Sequence, residues 1–209
     1  MTTSPTSFDS QRLIALDLEG VLAPEIWPAV GRATGVDELL LTTRDIAVYE
    51  DLMAARLQAL EANGLRLPDL LEVVATLEPL DGAVDFLQQV EAAAPVVMLS
   101  DTFEQLAAPL LAKLGHPFTL CHRLRLDGDR ITGIALRGST AKREAVWAFQ
   151  KLGYRVSAAG DSHNDVEMLD AADRGALYAP PPVVCERCPH LPVTNTLPEL
   201  ADWLLAEGH

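Results

Sequence analysis

Cysteine is scarce in this chain, with three residues in 209. These are too few and too unevenly placed for a disulfide framework, so a secreted, disulfide-stapled scaffold is excluded and a reduced, cytoplasmic setting is expected. Basic residues are also few: 16 Lys and Arg against 30 Asp and Glu leave a formal net charge of -14. Nucleic acid and anionic membrane surfaces demand basic faces, and neither is expected as a partner. No apolar run approaches the ~18 residues of a membrane-spanning helix. Residues 1–10 are Ser/Thr-rich with Asp9 and lack a basic, apolar leader, so they read as a disordered tail. There is no internal repeat. Cys185-Glu186-Arg187-Cys188 with nearby His190 has one half of a zinc spacing, but the other half could come only from Cys121-His122, far away in sequence. These residues read as free thiols in a surface segment behind the rigid Pro180-Pro181-Pro182 loop.

What is present is a core. Hydrophobic residues make up 49% of the chain, and compact apolar runs at 13–16, 96–99, 155–159, 176–178 and 191–194 suit parallel strands covered on both faces. Segments 83–93, 103–114, 141–151, 165–172 and 197–206 carry helix-period apolar positions between them. This alternation predicts an α/β fold built on a doubly wound parallel sheet. Two stretches break it. Residues 25–78 hold only helical patterns, clearest over 49–60, and read as a small inserted α-helical cap dividing a core of 11–24 and 79–209. Residues 119–137, with Asp127-Gly128-Asp129 between apolar runs, read as a β-hairpin.

The chemistry follows from where the acids fall. Asp17-Leu18-Glu19-Gly20 directly follows the first strand, at the sheet edge where ligands bind in open α/β folds. Asp17 can attack phosphorus and form an aspartyl-phosphate. Two anions must meet in that attack, so a cation is needed; Asp17 and Asp161 at neighbouring strand ends are candidates for holding Mg²⁺, with Asp165 a further ligand or a supporting carboxylate. Glu19, two residues on, can protonate the leaving alcohol and then activate water. Ser100 and Asp101 sit at a predicted strand-to-helix junction whose N–H groups suit phosphate, and Lys142 adds a positive charge.

Taken together, Asp17-Leu18-Glu19-Gly20-Val21-Leu22, Pro24-Glu25-Ile26-Trp27, Thr42-Thr43-Arg44-Asp45-Ile46, Leu99-Ser100-Asp101-Thr102-Phe103 and Ala158-Ala159-Gly160-Asp161-Ser162 with Asn164-Asp165 resemble the haloacid dehalogenase-like (HAD) phosphohydrolases. Within that superfamily the chain is similar to the phosphoserine phosphatase branch, above all to its bifunctional phosphoserine phosphatase/homoserine phosphotransferase subgroup. The resemblance implies a HAD-like core, Asp17 as nucleophile, and Mg²⁺ held by Asp17, the Glu19 carbonyl and Asp161. It further implies that Ser100 and Lys142 hold phosphate and that Asn164 and Asp165 line the pocket. Glu25 and Arg56 match the positions that bind the amino and carboxylate groups of O-phospho-L-serine, as one acid and one Arg fork suit a zwitterion. The substrate-binding set is therefore Glu25, Arg56, Ser100, Asp101, Lys142 and Asn164.

Glu19 departs from most of the superfamily, where Asp holds this place. Its extra methylene is expected to favour phosphoryl transfer to an acceptor such as L-homoserine over transfer to water. Alternatives remain: another small phosphate ester as substrate, or a non-enzymatic phospho-acceptor module, which would lack the helical insertion. A homodimer through the cap is left open.

Overall fold

The computed structural model describes residues 11–206 apart from 44, 47 and 139. The expected tail and Arg44 of the cap motif lie outside the described residues. Strand β1 (Arg12–Leu16) is followed by α1 (Ile26–Thr34), a 3-10 turn (Asp37–Leu40), α2 (Tyr49–Ala62), α3 (Leu67–Thr76) and α4 (Ala83–Glu91). Next come β2 (Val96–Phe103), α5 (Glu104–Lys113), the hairpin β3 (Thr119–Asp127) and β4 (Arg130–Ala135), α6 (Ala141–Lys151) and β5 (Arg155–Gly160). A 3-10 turn (His163–Asp165), α7 (Val166–Ala171), β6 (Arg174–Tyr178), α8 (Pro182–Arg187), β7 (Val193–Thr194) and α9 (Leu197–Leu205) complete the described chain.

The seven strands form one sheet in the order β4-β3-β2-β1-β5-β6-β7, parallel except for the β3–β4 pair. Alternation along each strand divides the side chains between two apolar layers. Ile14, Leu16 and Met98 pack with Phe86, Leu106 and Leu200 beneath α4, α5 and α9, whereas Leu13, Ala15, Val97 and Val156 pack with Val146, Leu169 and Val184 beneath α6, α7 and α8. Both faces are covered, which is why the strands read as continuous apolar runs.

From β1 the chain moves outward to β2 and β3, then returns to build β5 and β6 on the other side of β1. The order therefore reverses at β1, and the crevice at its carboxyl end is the expected ligand position. The α1–α3 block leaves the sheet after β1 and returns before β2. Its two connections run side by side, joined by the Leu80 N–H donating to the Leu22 carbonyl at 2.9 Å. Leu39, Met53, Leu60, Leu70 and Val74 from this block are buried in the same layer as Leu16 and Phe103.

Two local expectations need correction. β2 does not stop at Leu99: it runs through Ser100-Asp101-Thr102 to Phe103, and α5 starts only at Glu104. The polar triplet resembles a loop, but Phe103 is fully buried, pairs with His122 after a register shift, and meets Trp27 edge-on at 6.3 Å. Nor is the cysteine segment a surface loop: Pro182 opens α8, where its missing N–H costs nothing, and Cys188 is buried against the sheet.

Candidate active site

Three adjacent strand ends and one helix bring the predicted residues together. Asp17 continues β1, its N–H donating to the Ala159 carbonyl of β5 at 3.0 Å, so its carboxylate emerges between β2 and β5. Asp17 Oδ1 accepts from the Leu18 N–H at 2.7 Å and lies 3.1 Å from Lys142 Nζ. Ser100 is buried on β2, its hydroxyl accepting from the Thr102 N–H at 3.3 Å. Lys142 stands at the second position of α6 and is 7% exposed. Its ammonium touches three carboxylates: Asp165 at 2.7 Å, Asp17 at 3.1 Å and Asp101 at 3.4 Å.

Asp161 and Asp165 hang from the end of β5. Both oxygens of the fully buried Asp165 are committed: Oδ1 to Lys142, and Oδ2 to the Asp161 N–H, the Ser162 N–H and the Ser162 hydroxyl, all within 3.1 Å. Asp165 thus fastens the 160–165 turn to Lys142. The turn needs glycine on both sides. A Cβ at Gly160 would lie 2.3 Å from Asp165 Cγ, and one at Gly20, where φ is +81°, would lie 2.4 Å from Asp161 Cγ. The Gly20 and Gly160 of the sequence motifs are clearances for these two carboxylates.

Carboxylate oxygens of Asp17, Asp161 and Asp165 lie within 4.8 Å of one another. Four acids, counting Asp101, crowd one ammonium. Burial and the neighbouring Asp165, Asp101 and Asp161 carboxylates push the Asp17 pKa well up against the pull of Lys142. Burial, Asp165 and Glu25 raise Asp161 to about 7. Lys142 is itself held charged, the same carboxylates overcoming its desolvation. A divalent cation fits this donor set: hard oxygen ligands, an excess of negative charge, and in Asp161 a carboxylate that forms no ion pair among the described residues. Asp17 and Asp161 would hold it. The Glu19 carbonyl, which receives no backbone N–H among the described residues, could complete the protein's share.

The insertion supplies the other wall. Glu19 Oε2 accepts the Ile26 N–H at 2.9 Å, reaching the start of α1. Burial and the Glu25 carboxylate raise its pKa to about 7, although the Ile26 N–H and the Thr102 hydroxyl favour the charged form. Arg56, on α2, is 6% exposed. One terminal nitrogen donates to the Leu41 carbonyl at 2.7 Å, the other lies 3.6 Å from Met53 Sδ, and the guanidinium stacks 4.9 Å above the Trp27 ring. Its Nε is a buried donor without a partner among the described residues. Glu25 is exposed at the cap position of α1, close enough to Glu19 to perturb it. Asn164 lies exposed in the 3-10 turn, and its side chain makes no hydrogen bond among the described residues.

Sequence reasoning passed over Tyr49 and His122. The Tyr49 hydroxyl donates to the Asp101 carbonyl at 2.9 Å, and His122 Nε2 lies 3.6 Å from Asp101 Oδ1. Tyr49 stood in a helical pattern and His122 beside a cysteine, so no local signal marked either; only the β2–β3 pairing brings His122 here.

Residues 6–170 match the family model for haloacid dehalogenase-like hydrolases. Over 189 residues, 90% of this chain and 92% of the relative, the sequence is 48% identical to phosphoserine phosphatase ThrH of Pseudomonas aeruginosa. The protein is a haloacid dehalogenase-like hydrolase. This hydrolase is also 47% identical, over 90% of its length and 80% of the relative's, to a phosphoserine phosphatase of Pseudomonas syringae pv. tomato. Among solved structures, an apo phosphoserine phosphatase superposes with TM-score 0.77 at 20% identity, covering 92% of the hydrolase and 98% of the other chain. A phospho-aspartyl intermediate analogue of phosphoserine phosphatase gives TM-score 0.74 at 19% identity, over 93% and 99%. These superpositions establish the shared fold, including its mostly parallel sheet. Among the described residues no helix is long and apolar enough to cross a membrane.

Proposed function

We propose that the hydrolase dephosphorylates O-phospho-L-serine through an aspartyl-phosphate on Asp17, with Mg²⁺ as its metal, in the reducing cytoplasm that its free thiols suit. The observation that carries this reading is the pairing of two half-sites. The Asp17 and Asp161 carboxylates cluster on the sheet with the Lys142 ammonium beside Asp17, and the buried Arg56 Nε on the insertion has no acceptor among the described residues. The names of the two relatives support the same substrate.

Mg²⁺, when bound, neutralises phosphate charge and aligns the phosphoryl group with Asp17. Lys142 and the Ser100 hydroxyl take the remaining phosphate oxygens, and the Arg56 fork takes the substrate carboxylate while Glu25 faces its ammonium. An oxygen of Asp17 forms a bond to phosphorus as the bond to the serine oxygen breaks. Glu19, its pKa raised to about 7, is available as an acid and gives that oxygen its proton. The resulting Glu19 carboxylate then accepts a proton from water, whose oxygen attacks phosphorus and frees Asp17 and phosphate. L-homoserine in place of water would give O-phosphohomoserine by the same balance. The tie of Glu19 to the Ile26 N–H supports this second outcome, because it restrains the base on the insertion side, where an amino-acid acceptor would sit.

The test is phosphorus NMR of the protein with Mg²⁺, O-phospho-L-serine and excess L-homoserine, beside Asp17→Asn. Free phosphate is the expected product, accompanied by phosphohomoserine and absent in the variant. Intact phosphoserine would overturn the substrate assignment.

A further inference from the structure

Asp101 poses an electrostatic problem. It follows the phosphate-facing Ser100, where a second anion would repel the substrate, yet its pKa is lowered to about 2, so it stays charged. Its surroundings resolve this. Oδ2 lies 3.4 Å from Lys142 Nζ and Oδ1 lies 3.6 Å from His122 Nε2, while the Asp101 carbonyl accepts the Tyr49 hydroxyl at 2.9 Å. Both carboxylate oxygens and the main chain are therefore held.

His122 is 4% exposed, with its ring centroid 6.2 Å from that of Tyr49 and 6.1 Å from that of Phe103. Its Nδ1 accepts the Arg137 N–H at 3.2 Å. A nitrogen that accepts carries no proton, so the proton of the neutral ring sits on Nε2, facing Asp101. Arg137 belongs to the short connection between β4 and α6, and Lys142 is the second residue of α6. One imidazole thus lies against the carboxylate that touches Lys142 and accepts from the connection that precedes α6.

We propose that Asp101 and His122 are positioning residues that aim the Lys142 ammonium at the transferring phosphoryl group. The inference rests on reading Lys142 as the phosphate-holding cation. Asp165 and Asp17 alone would draw the ammonium toward the floor of the site. Asp101 supplies a third carboxylate contact, so that three acids and not two fix where the ammonium stands. Misplacing a catalytic group by ~1 Å can cost on the order of a hundredfold in rate.

The experiment uses Mg²⁺-supplied full-length protein and the variants His122→Asn, His122→Gln and Asp101→Asn. Asn keeps an acceptor where Nδ1 stands and loses the group facing Asp101; Gln reaches toward Asp101. Ring ¹⁵N shifts of the native protein should show the Nε2-protonated form of His122. Titration with orthovanadate, a mimic of the transferring phosphoryl group, should bind His122→Asn and Asp101→Asn about tenfold more weakly. On O-phospho-L-serine kcat should fall about as much, with KM and Tm nearly unchanged, and His122→Gln should recover most of the loss. A ring protonated on Nδ1 overturns the proposal, as do native orthovanadate affinity and kcat in both His122→Asn and Asp101→Asn. Losses that follow Tm, without rescue by Gln, overturn it as well. Should native protein leave phosphoserine intact, the substrate assignment falls, and the ring shifts and orthovanadate still decide the role of His122. If His122→Asn does not fold, those shifts and Asp101→Asn decide it.

Discussion

Arg56→Gln tests the proposed substrate-selecting half of the site. Among the described residues this guanidinium makes one strong bond in the free protein, to the Leu41 carbonyl at 2.7 Å, and stacks on Trp27, while its Nε has no partner. Losing the bond costs about 1 kcal/mol and losing the stack about as much again. A chain of this size loses roughly 2–4 °C in Tm per kcal/mol, so the variant should melt about 4–8 °C lower and remain folded at 25 °C. The larger effect should appear only with substrate. A charge-assisted bond from Arg56 to a carboxylate is worth about 1.5–3 kcal/mol, which is about 10- to 150-fold in kcat/KM. Phosphoethanolamine, which keeps the phosphate and ammonium but lacks the carboxylate, provides the comparison. Native protein should prefer phosphoserine by about that factor, and Arg56→Gln should bring the two substrates nearly level by collapsing the phosphoserine value alone. Steady-state phosphate release at matched Mg²⁺ supplies the four constants. The reasoning is refuted if the preference survives in Arg56→Gln, or if both substrates fall together in proportion to the lost stability.

Other expectations follow from the same geometry. Gly20→Ala places a methyl 2.4 Å from Asp161 Cγ at a φ that costs an alanine about 1–2 kcal/mol, so calorimetry should find Mg²⁺ binding weakened by about tenfold or more; native affinity would remove Asp161 from the ligand set. Glu19→Asp withdraws the carboxylate from the Ile26 N–H by over ~1 Å and should raise phosphate relative to phosphohomoserine in the NMR assay; an unchanged product ratio would sever Glu19 from acceptor choice. Burial and Glu104 push the Cys121 thiol up to about 11 from an ordinary 9.0. Its thiolate at pH 8 is then about a hundredfold scarcer, and iodoacetamide followed by peptide mass spectrometry should label Cys121 about a hundredfold more slowly than free cysteine. Labelling at the ordinary rate would mean that the thiol is open to water.

The chain's local patterns were enough to specify the fold class and to single out Asp17 as the proposed nucleophile. Continuous apolar runs separated by helix-period segments can pack only as a parallel sheet with both faces covered, and that sheet puts Asp17 and Asp161 at neighbouring strand ends. The glycines beside them were visible as motif letters, but their purpose as clearances for Asp161 and Asp165 is a matter of distance. Strand β2 shows the limit of local reading. Ser100-Asp101-Thr102 has the composition of a loop, and burial of Phe103 with its pairing to His122 holds it extended. Asp165 could be placed near the proposed metal position from its spacing, but only the three-dimensional hydrogen bonds reveal that both of its oxygens are already taken. Arg56, Tyr49 and His122 lie far from Asp17 in sequence. Their approach depends on how the insertion folds back over the sheet and how β3 registers against β2, which are long-range packing choices that no short window of sequence encodes. Sequence alone determined the fold class and marked the groups proposed to carry the chemistry; tertiary structure decided which of them touch, because charge and burial act through distance in space and not along the chain.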